Sequence, residues 1–250
     1  MPLGSQDPVL VALVMALLGF LIGLTKGGFN ALGGLLTPLL SLVLPVSLAV
    51  GVLLPMLIVG DAFAVYTYWR QWDGRLVRRM LPTGVAGALL GTFLLTQLSA
   101  NSLRLVLAVF VLLLVIYKLA GDRLENLRYR PRAWHAPAAG LLAGVASGMF
   151  NNGVPPFNTF LLLQKLAPRT FIATTAIFFA LLNLLKVPGF LYTGVLDLPL
   201  LLSVWWVLVF IPLGIAAARW LVLRVNPKVF EWMIIVLLVF SSFLLFWSAR

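Results

Sequence analysis

Lys26, Lys186 and Asp61 are charged residues set inside apolar sequence, and asparagines and glycines gather around two interruptions of that sequence. The first interruption reads Thr25-Lys26-Gly27-Gly28-Phe29-Asn30-Ala31-Leu32-Gly33-Gly34. The second reads Ser147-Gly148-Met149-Phe150-Asn151-Asn152-Gly153-Val154-Pro155-Pro156. Ammonium groups supply positive charge, and asparagine amides supply hydrogen-bond donors without adding charge, so the set suits an oxyanion. Glycines let a ligand approach the backbone. If a new helix starts after each break, at about 31–34 and 153–157, its first N–H groups lack internal partners and carry partial positive charge. Such ends bind anions. The substrate-binding residues on this reading are Lys26, Gly27, Gly28, Asn30, Gly33 and Gly34, then Asn151, Asn152, Gly153, Asn158, Asn183 and Lys186.

A bare ammonium inside a bilayer costs several kcal/mol on an isolated helix, which makes a deep lysine a functional candidate by default. Lys26 has an alternative as a side chain snorkelling from the end of a complete span. Lys186 lies midway along its apolar segment, where snorkelling is harder. Asp61 could pair with either lysine, couple a proton, or stay neutral among neighbours.

The elements that must hold these groups follow from composition. The chain has 250 residues, is 62% hydrophobic and 10% charged, and has a mean hydropathy of +1.08. That places it as an all-α polytopic membrane protein. It has no cysteine and one histidine, His135, beside a basic loop. Neither a metal site nor a cofactor is expected, and no nucleophile, paired acids or metal cluster points to an enzyme. Asp7, rather than lysines, precedes the first apolar stretch, so no cleavable signal peptide is expected. The net charge of +11 resides in short loops between apolar segments, so the expected partner is the lipid surface and not nucleic acid.

The apolar segments are 8–25, 31–45, 47–69, 77–97, 102–119, 134–149, 154–165, 170–193, 199–221 and 228–248. A helix needs about 20 residues to cross the hydrocarbon. The segments flanking each break are shorter, so 8–25 with 31–45, and 134–149 with 154–165, are expected to form hairpins with tips inside the membrane. Tilted full spans with ordinary loops are the alternative. With hairpins, Arg70, Arg75, Arg78 and Arg79 share a side with the linker residues Lys118, Arg123, Arg128, Arg130 and Arg132. Lys165 and Arg169, then Arg219, Arg224 and Lys228, fall on that side too, which makes it the cytoplasm.

The halves echo each other. Gly19-x-x-x-Gly23 is matched by Gly140-x-x-x-Gly144, Tyr68 and Asp73 by Tyr192 and Asp197, Gly87-x-x-x-Gly91 by Gly214-x-x-x-Ala218, and Asn101 by Asn226. The first half starts outside and the second inside, so two inverted-topology repeats are expected, each a broken or re-entrant helix pair plus three transmembrane helices. Their bounds are 1–119 and 134–250, with 120–133 a basic cytoplasmic linker. Breaks at matching places in inverted repeats point to a transporter's binding site. The paired small residues at 87, 91, 214 and 218 suit close helix packing. Gly51, Pro55 and Gly60, with Pro188 and Gly189 in the counterpart segment, are candidate bends.

The pattern from Gly23 through Lys26-Gly27-Gly28-Phe29 to Gly33-Gly34, followed by Pro38, resembles the first signature of the sulfite exporter TauE/SafE family of membrane permeases. Gly144-x-x-Ser-Gly-Met-Phe with Gly153 and Pro155 resembles its second signature, and Thr174, Asn183, Lys186, Tyr192 and Gly194 also fit. The resemblance runs over nearly the whole chain. It implies transport of sulfite, sulfoacetate or related organosulfonates across a bacterial inner membrane. Asn151-Asn152 and Pro155-Pro156 stand where the family has more glycine, a departure that bears on substrate choice. The combined expectation is a secondary transporter of small sulfur-containing oxyanions, exporting by alternating access as a monomer or homodimer. A passive anion channel, or a carrier for another small carboxylate or oxyanion, is the competing reading.

Overall fold

The computed structural model describes residues 8–27, 29, 32–119, 132–196, 199, 202, 205–221, 224 and 227–248. Most of the predicted linker, together with Gly28, Asn30, Asp197 and Asn226, lies outside the described residues. Within them the regular structure is helical: α1 (Pro8–Gly27), α2 (Gly33–Ser41), α3 (Val46–Thr67), α4 (Gly74–Gln97), α5 (Ala100–Leu119), α6 (His135–Phe150), α7 (Val154–Leu162), α8 (Pro168–Tyr192), α9 (Phe210–Leu221) and α10 (Pro227–Ser248). A 3-10 turn, Trp205–Val209, leads into α9. α3, α4 and α8 are long and apolar enough to cross a membrane, and shorter apolar stretches lie in α1, α5, α10 and the turn leading into α9.

Several ends differ from the apolar segments for local reasons. α4 begins at Gly74, three residues before its apolar run, because the Asp73 carboxylate accepts from the backbone N–H groups of Arg75 and Leu76 at 2.8 and 3.1 Å. An N-cap of this kind contributes about 1 kcal/mol. The Asp73 N–H in turn donates to the Thr174 hydroxyl at 2.9 Å, tying the α3–α4 connection to α8. Both arms after the breaks are nine residues long, shorter than their apolar segments. α7 stops at Leu162, and Lys165 then takes a left-handed conformation (φ 50°).

Small residues set the closest helix contacts. α1 lies along α9: Gly23 faces the Ile211 carbonyl and the Cα of Gly214, Gly27 faces Ala218, and Gly214 faces the Phe20 carbonyl. α4 lies along α6 in the same manner, with Gly87 against the Leu141 carbonyl, Gly91 against that of Val145, Gly144 against Gly84 and Gly148 against Ala88. A methyl group at any of these positions would meet backbone. Backbone approach of this kind drives association where lipid removes the hydrophobic advantage. The packing role expected for Gly87, Gly91, Gly214 and Ala218 is therefore what these contacts display.

The chain turns back at the second break. Gly153 lies beside the carbonyl of Ala143, ten positions upstream on α6, and Phe157 of α7 stacks on Phe178 of α8 at 4.2 Å. α2 joins α3 in one buried cluster through Leu36, Leu40, Leu53 and Leu57. Pro55 lies inside α3 and Pro188 inside α8. Gly51 of α3 receives the Val195 carbonyl so closely that no side chain would fit there. These packings enclose the space between the two breaks.

Candidate functional site

A cavity of about 270 Å³ lies between the breaks. Its polar wall contains Lys26 from the end of α1, Gly33 and Gly34 from the start of α2, and Asp61 from α3. Asn151, Asn152 and Asn158 come from the second break and α7, and Asn183 from α8. Eight of the residues singled out from sequence therefore meet in one hollow. The two breaks touch here, since a methyl placed on Gly34 would sit 3.6 Å from the Asn152 amide nitrogen. Gly33 has open space around it.

Four other candidates stand differently. Gly27 packs on Ala218, and Gly153 packs beside the Ala143 carbonyl and the Phe179 ring, so both serve helix contacts outside the cavity wall. Gly28 and Asn30 are outside the described residues. The start of α7 also presents fewer N–H groups than expected of 153–157. Pro155 and Pro156 have none, and the N–H of Phe157 donates to the Gly153 carbonyl at 3.4 Å. In the second half, the backbone offers an anion fewer donors, and the side-chain amides of Asn151, Asn152 and Asn158 stand beside them in the wall. The start of α2 has no side-chain cap among the described residues.

Charge is arranged in two networks. In the first, the Lys26 ammonium donates to Asp61 Oδ1 while Asn183 Nδ2 donates to Asp61 Oδ2 at 2.6 Å. Asp61 is 1% exposed, whereas Lys26 is 22% exposed and faces the cavity. The Lys26 stem lies over Gly60, whose missing side chain gives it room. This is the one ion pair among the described residues. It cancels the formal charge of the wall.

In the second network, Lys186 is 3% exposed and all three of its protons are engaged. It donates to the Ser147 carbonyl at 3.1 Å, the Ser147 hydroxyl at 3.0 Å and Asn151 Oδ1 at 2.8 Å. The first of these lies in the last turn of α6, where the helix dipole favours a cation. Asn151 adopts a left-handed conformation (φ 54°), and its Nδ2 donates to the Val50 carbonyl of α3 at 2.7 Å. The Thr37 hydroxyl of α2 donates to the Phe150 carbonyl at 2.6 Å. Lys186 thus stands behind Asn151 and outside the cavity wall.

Sequence reasoning missed Thr25, Tyr68, Thr175 and Phe179, all in the wall. Thr175 donates to Asn158 Oδ1 at 3.0 Å. Its signal was faint: a threonine in an apolar helix often bonds only its own backbone, and Thr175 does that too, to Phe171 at 3.0 Å. Ser147 was visible only as part of a signature.

No curated protein and no solved structure matches the chain. The sequence profile described as sulfite exporter TauE/SafE matches residues 15–245. That match takes in both breaks, both lysines, Asp61 and every wall residue named above. Together with a helical bundle of membrane-crossing length, it identifies a multi-pass membrane transport protein, and the chain belongs to the sulfite exporter TauE/SafE family, whose members are transporters of sulfur anions such as sulfite and not enzymes.

Proposed function

We propose that the protein is a secondary transporter of small sulfur-containing oxyanions, sulfite or organosulfonates such as sulfoacetate, bound between the two breaks and moved by alternating access. The observation that carries this reading is the convergence of Lys26, Asn152, Asn158, Asn183 and the uncapped start of α2 on one cavity. Lys26 receives the oxyanion; the amides of Asn152 and Asn158 donate to its remaining oxygens. Asn151 and Lys186 hold the second break in place and supply positive potential from behind. Asp61 shares Lys26 with the substrate and is the candidate for proton coupling.

The repeats are 1–119 and 134–250, joined by a cytoplasmic linker at 120–133. What supports inversion is the exchange of partners: the first described helix of each half lies along the second-to-last described α-helix of the other, α1 on α9 and α6 on α4. Rocking of one unit against the other exposes such a site to each side in turn. In a bacterial inner membrane the outside-positive potential helps an anion leave by about 2.3 kcal/mol per charge per 100 mV, so export needs no coupling ion.

The test is flux of labelled sulfite and sulfoacetate in proteoliposomes. Saturable flux with counterflow between substrate pools is expected, falling at least tenfold in Lys26→Ala. Linear flux without counterflow would make the protein a channel. Undiminished flux in Lys26→Ala, Asn152→Ala and Lys186→Ala together would remove the site assignment.

A further inference from the structure

Two helices give the cavity a direction. α3 and α8 run antiparallel: Gly51 meets the Val195 carbonyl just past α8, Asn183 donates to Asp61, and the Asp73 N–H donates to the Thr174 hydroxyl. The wall follows this ladder. On α3 it runs from Leu57 through Asp61 and Ala64 to Tyr68, and on α8 from Asn183 through Phe179 and Thr175 to Phe171 and Ile172. Burial falls along the same line. Asp61, Asn183 and Phe179 are buried, whereas Ala64, Tyr68, Phe171, Ile172 and Thr175 are partly exposed. At the far end of the pair the approach of Gly51 to Val195 leaves no gap, and Leu53 and Leu54 nearby on α3 are fully buried.

Basic residues gather at the exposed end. Arg70 follows Tyr68 by two residues, Arg169 precedes Phe171 by two, and both are exposed. The Asp73 carboxylate beside them is turned to the backbone N–H groups that start α4. At about 3.6 residues per turn, Thr174 falls on the opposite side of α8 from Ile172 and Phe179, so its tie to Asp73 passes behind the wall. Polar groups mark the way inward: Tyr68, then Thr175 with Asn158, then Asn183 and Lys26. From Tyr68 to Asp61 the distance along α3 is about 10 Å. A cleft rimmed by charge of one sign concentrates small ions of the other and speeds their entry.

Resting on the anion site proposed above, we infer that this conformation is entered from the basic face, through a mouth at Tyr68, Phe171 and Ile172 where Arg70 and Arg169 recruit the anion. The charge distribution makes that face the cytoplasmic one. The state described here is then the one that loads substrate for export, and Lys26 holds what the rim gathers.

The absence of cysteine makes the mouth directly testable. Single Ile172→Cys and Ala64→Cys proteins, in inside-out and right-side-out vesicles, are treated with an anionic and a cationic membrane-impermeant methanethiosulfonate. Both thiols are expected to react from the basic face only, and Leu53→Cys from neither. Relative to a free thiol the anionic reagent should be favoured, and Arg70→Gln combined with Arg169→Gln should cut that preference about tenfold. Arg224→Gln, which removes a charge stacked on Trp220, should change it less than twofold. The double substitution should also raise KM for anion entering from that face several-fold, with kcat within twofold. Labelling of both mouth thiols from the opposite face, or from neither, overturns the mouth; an unchanged reagent preference overturns the recruitment. The labelling needs no substrate, so either failure stands apart from failure of the anion site, which shows as absent flux of sulfite and sulfoacetate.

Discussion

At the first break Lys26 sits on the broken helix itself and faces the cavity, whereas Lys186 reaches the second break from α8 and is enclosed by protein. Lys26 has a single described partner, the Asp61 carboxylate. Lys186 has three neutral acceptors, two of them on Ser147 and one on Asn151. The same residue type thus does two jobs. A cation held by one carboxylate can exchange it for another anion. A lysine enclosed by the Ser147 carbonyl, the Ser147 hydroxyl and the Asn151 side chain cannot leave without abandoning all three. The first break is the chemically open one, and the second is its fixed wall.

Five single substitutions sharpen that contrast. The largest effect is expected from Lys186→Ala, which leaves the Ser147 hydroxyl and the Asn151 Oδ1 without their donor in a buried setting. At roughly 1–3 kcal/mol for each abandoned group, thermal unfolding in nanodiscs should show a loss of several kcal/mol, with transport disappearing alongside folded protein. Lys26→Ala comes next. It should weaken oxyanion binding at least tenfold while costing about 2 kcal/mol in stability, since it leaves the buried Asp61 with Asn183 as its one partner. The double substitution with Asp61→Ala should recover that stability and not the binding. A Lys26→Ala protein that unfolds more readily than Lys186→Ala would reverse the assignment of roles.

Asp61→Asn follows. It keeps a side chain that Asn183 can meet and removes the charge that competes for Lys26, so calorimetric titration should show oxyanion affinity raised several-fold, up to about tenfold. Weaker binding would mean that Asp61 contacts substrate directly. The smallest effect is expected at Gly33→Ala, where the added methyl meets open space and transport should change less than twofold. The matching change at the other break, Gly153→Ala, drives a methyl into the Ala143 carbonyl and should cost 1–3 kcal/mol in the same unfolding assay. Equal behaviour of the two glycines would erase the distinction between an open break and a packed one.

The helical, membrane-embedded class was legible because 62% hydrophobic composition leaves few alternatives. Lys26, Asp61, Asn152, Asn158 and Asn183, which line the cavity, were legible as unusual residues for a related reason: polar groups are expensive in apolar segments, so each asks for a partner. Which partner was not legible. Asp61 lies 35 residues from Lys26 and 122 from Asn183, and nothing local distinguishes Lys26 from Lys186 as its mate. Gly27 and Gly153 were read as openings for a ligand, yet both are packing contacts, because a missing side chain serves a neighbour's backbone as well as it serves a substrate. The extra turn of α4 depended on Asp73, a polar cap outside the apolar pattern that marks segment ends.

The bond from the Thr37 hydroxyl to the Phe150 carbonyl joins the arm after the first break to the helix before the second. Any parting of α2 from α6 must surrender it, and a neutral hydroxyl bond is worth only about 1 kcal/mol net. That latch is one tie among several between the two halves of the chain, beside the bonds from Asn183 to Asp61 and from Asn151 to the Val50 carbonyl, so its loss alone releases only a small part of what holds them.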